Sequence, residues 1–185
     1  MIDWTPMIRE CAPQVAPSTM QAIIRTESGF NPLAININGG AKLARKPRTL
    51  HEAAAWSHWL ISRGYSVDMG LMQINSNNLR RLGLNAASVF DPCRNLAAGA
   101  RILTESYRRA LREGGTPQSA LLKALSAYNT GNFERGFRNG YVAKVVKHRQ
   151  PVPLNRIEES DAPPLILADA DRRPPSEKKR KSGAG

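Results

Sequence analysis

The chain has 185 residues, enough for one domain with its own core, and it lacks any run of 18 apolar residues that would cross a membrane. Aromatic residues make up only 6% of it, which leaves Leu, Ile, Val and Ala to build that core. A net charge of +12 attracts polyanions, and on charge alone nucleic acid, anionic lipid and an anionic cell-wall polymer all stay in play.

The opening Met1-Ile2-Asp3-Trp4-Thr5 has neither a basic start nor an apolar stretch, so no signal peptide is visible. The first predicted helix runs from Pro17, suited to a first turn, to Ser28. Its apolar stripe reads Met20, Ile23, Ile24, Glu27, the i, i+3, i+4, i+7 series of a core-facing side. Residues 31–48 are irregular, with Asn38-Gly39-Gly40 and a basic cluster of Lys42, Arg45, Lys46 and Arg48, which suits a hairpin or a loop over a cleft. Thr49-Leu50-His51-Glu52 matches a capping box. It opens a helix carrying Ala53, Trp56, Leu60 and Ile61 that stops at Gly64. Tyr65 to Asn75 is a short apolar stretch with polar side chains, followed by a brief helix over Asn78–Leu82. Asp91-Pro92 starts a long helix with Leu96, Ala100, Leu103, Tyr107 and Leu111 on one side, ending near Gly114-Gly115. Thr116-Pro117 starts another, with Leu121, Leu122 and Leu125, that runs into Ala127-Tyr128-Asn129-Thr130-Gly131. A last helix spans Tyr141 to His148.

From Gln150 the pattern changes. Prolines at 151, 153, 163, 164, 174 and 175 interrupt every helix and charges alternate, as in a disordered tail. Leu165-Ile166-Leu167 is at most a short docking element there, and Lys178-Lys179-Arg180-Lys181 reads as solvated charge. Residues 1–149 hold 20 basic and 9 acidic side chains, and residues 150–185 hold 7 and 6, so the positive excess belongs to the folded part. The expected organisation is therefore a mainly α domain over 1–149 with little β and a cleft, then a tail over 150–185.

Glu27 carries the chemistry. A carboxylate on an apolar stripe, in the last turn of a helix before Gly29, meets two forces that favour its protonated form: desolvation and the negative end of the helix dipole. A raised pKa follows, and a carboxylic acid held neutral can protonate a leaving-group oxygen. The competing reading is a buried Glu paired with an Arg for structure. Cys11 and Cys93 form no C-x-x-C pair, and His51, His58 and His148 have no ligand spacing with them, so neither metal nor cofactor is expected. On spacing alone the two thiols are either a disulfide or free.

Four segments combine in order: Glu27-Ser28-Gly29-Phe30-Asn31-Pro32, Gly70-Leu71-Met72-Gln73-Ile74-Asn75, Ala127-Tyr128-Asn129-Thr130-Gly131 and Gly140-Tyr141-Val142. Together they resemble the Slt-type lytic transglycosylases, which have a goose-lysozyme-like fold. The likeness is greatest to the specialised transglycosylases of type IV secretion and conjugation systems, the virulence protein B1 family. It covers about residues 9–148.

The resemblance implies cleavage of the bond between N-acetylmuramic acid and N-acetylglucosamine in peptidoglycan, with closure of a 1,6-anhydro ring. Glu27 matches the catalytic glutamate, acting first as acid and then as base. Ser28, Gln73, Tyr128, Asn129 and Tyr141 match substrate-contacting positions, with the Tyr128 hydroxyl near the glutamate and Asn129 on a sugar acetamido group. Met72 and Ile74 alternate with Gln73 and are expected to pack inward. The resemblance further implies a periplasmic address, hence a Cys11–Cys93 disulfide, and type IV secretion components as partners. Asp68 is the nearest candidate for a second carboxylate, which at about 5–5.5 Å from Glu27 would restore a retaining hydrolase. Turn chemistry suits it better. The alternatives are a non-catalytic peptidoglycan-binding assembly factor, a hydrolytic lysozyme or chitinase, and a nucleic-acid binder. The basic residues are scattered and carry no recognition motif, which argues against nucleic acid.

Overall fold

A computed structural model describes residues 2–149; the expectations for residues 150–185 lie outside the described residues. The domain is mainly α, with a single small sheet. Its helices are α1 (Thr5–Cys11), α2 (Pro17–Glu27), α3 (Leu50–Ser62), α4 (Leu79–Leu82), α5 (Pro92–Arg112), α6 (Pro117–Thr130), α7 (Arg135–Arg138) and α8 (Tyr141–His148). The strands are β1 (Ile35–Ile37), β2 (Val67–Met69) and β3 (Ile74–Asn75).

α5 is the spine. Asp91 caps it by accepting from the Arg94 amide, and Pro92 opens its first turn. Leu96, Ala100, Leu103, Tyr107 and Ala110 bury one side of it. α6 packs along α5, and Thr116 caps it by accepting from Ser119 N. α2 buries Met20, Ile23 and Ile24 completely, each removal from water stabilising by about 1.5–3 kcal/mol. α8 covers the far side of α2, and Thr26 Oγ1 lies 3.1 Å from His148 Nδ1 across that contact.

Three local differences from the sequence reading have physical causes. α1 precedes the first predicted helix; with Ile8 its only buried residue, it shows no helical period. Asp3 stabilises its start by accepting from Thr5 N, and a Cys11–Cys93 disulfide ties it to the start of α5. At α3 only half the capping box forms. Thr49 accepts from Glu52 N, but the Glu52 carboxylate turns back to Arg48 N and to the Arg45 guanidinium. The third difference is the sheet itself, with order β1-β2-β3 and antiparallel pairs throughout.

The register of that sheet matters more than its size. Asn36 pairs with Asp68, and Asp68 pairs with Asn75. Directly opposed residues share a face, so these three side chains form one polar row. The alternate positions, among them Ile37, Val67, Met69 and Ile74, are buried on the other face. Strand, turn and helix thus meet with one greasy side and one hydrophilic side, and the hydrophilic side faces a groove. No helix among the described residues is long and apolar enough to cross a membrane.

Candidate active site

Glu27 is the last residue of α2. One residue further on, past Ser28, Gly29 (φ 60°) and Phe30 (φ 66°) turn the chain away in the left-handed region. A phenylalanine there costs about 1 kcal/mol or more, offset by packing against the core and by Arg25 over its ring at 5.6 Å. The sharp exit leaves the Glu27 carboxyl at the meeting point of two cavities. One, about 760 Å³, runs between the polar row of the sheet and helices α5 and α6. The other, about 500 Å³, runs between β1 and the 41–47 loop. Glu27 and Gln73 line both. The acid therefore sits midway along one groove with two arms.

Its protonation is set by its surroundings. Burial pushes the Glu27 pKa up to about 7, against the downward pull of a hydrogen bond from Tyr141; the nearby Asp68 charge raises it further and Lys144 lowers it. The Tyr141 hydroxyl donates to Glu27 Oε1 at 2.5 Å. Tyr141 is itself buried, and burial together with the Glu27 charge holds its phenol well above the usual range, so it stays a donor. The tyrosine reaches this position because Asn139 Oδ1 accepts from Tyr141 N and Gly140 (φ 81°) supplies the turn into α8. With Oε1 engaged, Oε2 is the oxygen left to carry a transferable proton. Tyr141→Phe is expected to raise the Glu27 pKa by about one unit, since a bond that favours the charged form is lost. Carboxyl NMR titration of both proteins measures it, and an unchanged or lowered value would contradict the geometry.

The other sequence-picked residues are all brought to the groove, with different tasks. The Tyr128 hydroxyl donates to the Met72 carbonyl at 2.6 Å. It is near enough to Glu27 to feel its charge, but the bond to the acid comes from Tyr141. Gln73 sits at φ 49°, and its amide nitrogen donates to the carbonyls of Gly70 (2.9 Å) and Ala34 (3.3 Å). Those two bonds use both amide protons and leave Oε1 as the atom it offers a ligand. Met72 and Ile74 on either side are buried. The Ser28 hydroxyl donates back to Ile24 O at 3.1 Å rather than to Glu27, so it meets a ligand as an acceptor. Asn129 is exposed on the wall; its Oδ1 accepts from Asn139 at 3.0 Å, leaving its amide protons outward. Asp68 accepts from Asn75 at 2.7 Å and from Asn38 at 3.1 Å, an anchored strand residue rather than a turn residue.

Sequence reasoning passed over Asn95. Buried on α5, it receives Met72 N on Oδ1 (2.7 Å) and gives its two amide protons to Met69 O (3.0 Å) and Val89 O (2.7 Å). It thereby clamps the turn that carries Gln73. Gly70 in that turn (φ 77°) has no room for a side chain, since a Cβ would come within 2.3 Å of the Asn95 amide. Among the described residues no group of His, Cys, Asp or Glu is arranged to hold a metal ion.

Comparison with known proteins agrees with this picture. A family model described as "Transglycosylase SLT domain" matches residues 6–149. The type IV secretion system protein virB1 of Brucella suis is 39% identical, over 96% of this chain and 79% of its own length. Protein virB1 of Agrobacterium fabrum is 39% identical over 89% of this chain and 63% of its own, and that of Rhizobium radiobacter 45% identical over 74% and 56%. No solved structure matches the chain.

Proposed function

Since the chain belongs to the transglycosylase SLT domain family and is a lytic transglycosylase, we propose that it leaves a 1,6-anhydro ring on N-acetylmuramic acid when it cuts the bond to N-acetylglucosamine in peptidoglycan. The observation that carries this reading is the placement of one carboxyl, poised at a pKa of about 7, midway along the groove.

Protonated Glu27 gives its proton to the glycosidic oxygen, and the C1–O bond breaks with the electron pair leaving on that oxygen. The substrate's acetamido oxygen meets the positive charge that develops at C1. The Glu27 carboxylate then takes the proton of the muramoyl C6 hydroxyl, whose oxygen bonds to C1 and closes the ring. Acid is regenerated and water is not consumed, so one carboxyl serves where the usual glycosidase uses two. Tyr141 orients Glu27 through Oε1 and lowers the cost of its ionised form. Gln73 Oε1 and the Asn129 amide are the groups available to sugar hydroxyl and acetamido substituents. Asp68, held between Asn38 and Asn75, supports the groove wall, and its charge helps to keep Glu27 protonated.

The relatives named for type IV secretion support a matching service here: local opening of the wall for a secretion or conjugation apparatus, in the periplasm. Digestion of purified peptidoglycan tests the chemistry. Mass spectrometry is expected to find anhydro-muropeptides; products with free reducing ends would mean hydrolysis and overturn the ring-closing step.

A further inference from the structure

The two arms of the groove differ in charge. In the arm along α5 and α6, Asp68 and Glu105 stand with Arg81 and Arg109, and Arg81 already pairs with Glu105 at 2.6 Å. That wall is balanced. In the other arm the ionisable residues beside Glu27 are Lys42, Arg45 and Lys46. Arg45 is committed elsewhere. Its guanidinium binds the Glu52 carboxylate in two-pronged fashion (2.7 and 3.0 Å) and lies 4.8 Å over the Trp56 ring. Arg45 and the Arg48 amide hold the Glu52 carboxyl down at about 2, so this staple stays ionised at any working pH. It pins the 41–47 loop to α3 as a fixed wall. Lys42 and Lys46 have no ion-pair partner among the described residues and line the cavity.

We propose that this loop arm takes the carboxylates of the peptide side chains borne by the glycan, with Lys42 and Lys46 selecting peptide-bearing strands. The inference rests on the reading of the substrate as peptidoglycan. The amino-sugar backbone is neutral at its linkages, and its negative charge resides in the acidic peptides attached to muramic acid. Two unpaired ammonium groups on one arm and a balanced wall on the other orient such a strand across Glu27. A lysine is a point charge on a flexible stem, suited to a peptide without fixed geometry. The Arg45–Glu52 staple keeps the loop in place without using either lysine.

The test compares wild type with Lys42→Gln/Lys46→Gln on two polymers: peptide-bearing strands, and the same strands with their peptide carboxyls converted to neutral amides by a carbodiimide and ammonia. Both lysines are exposed, so the variant is expected to fold, as circular dichroism would verify. On unmodified strands kcat/KM should fall about three- to tenfold, mostly through KM, and on the amidated strands it should stay the same. Raising the salt should erase the wild-type preference for unmodified over amidated strands. An equal fall on both polymers, or no fall on either, overturns the role of the lysines. Wild type that yields no anhydro ends from either polymer overturns the underlying reading instead.

Discussion

Glu27→Gln is expected to lower glycan cleavage by about three orders of magnitude while making the fold more stable above neutral pH. The loss follows because Gln cannot give or take the proton. The gain follows from the same burial that makes Glu27 useful. Its folded pKa of about 7 lies above its ordinary 4.5, so the unfolded chain ionises first as pH rises. Below pH 4.5 both states are protonated and no stability is lost. Between that pH and about 7 stability declines, and above it the penalty is complete. Its size is about 3 kcal/mol at most. Gln is neutral throughout and can still accept the Tyr141 hydroxyl. Release of anhydro-muropeptides and urea unfolding at pH 4 and pH 8 measure both halves. A fully active variant would show that the acid is not used, and one no more stable than wild type at pH 8 that it is not desolvated.

The second large effect is structural. Asn95→Ala is expected to destabilise the domain by about 3–5 kcal/mol, because three buried backbone groups lose their partners at about 1–3 kcal/mol each before any relaxation. They are Met72 N, Met69 O and Val89 O. Asn95→Asp should be no better: it keeps an acceptor for Met72 N but sets a carboxylate against two carbonyls. Because the turn also carries Gln73, KM should rise in any fraction that remains folded. Urea unfolding provides the measurement, and a cost below about 1 kcal/mol would mean that water or a shifted turn satisfies these groups.

The long helices were legible because each states its start, period and stop. Asp91-Pro92 and Thr116-Pro117 cap α5 and α6 as read, and Met20, Ile23 and Ile24 of α2 and Leu96, Ala100, Leu103 and Tyr107 of α5 are buried, with Leu111 of the same stripe only partly so. Glu27 stood out for the complementary reason, a polar residue on a stripe otherwise apolar. What could not be read depends on pairings between distant segments. Strands of two or three residues are too short to show alternation, so the row Asn36, Asp68 and Asn75 exists only once β1, β2 and β3 come together. Asn95 looks like an ordinary polar residue on a helix, because its partners are backbone atoms without a signature in the sequence. The division of labour between tyrosines was hidden likewise: only the packing of α8 on α2 brings Tyr141, rather than Tyr128, to the acid.

The bond between Cys11 and Cys93 has a consequence for timing. It spans 82 positions, and a cross-link closing a segment of that length contributes about 4 kcal/mol in chain-entropy terms, a sizeable share of an ordinary domain's margin. Where glutathione keeps thiols reduced, the newly made polypeptide lacks that contribution and spends more of its life open. An oxidising compartment closes the cross-link and restores that margin, so the proposed periplasmic setting is also the one in which the domain is most stable.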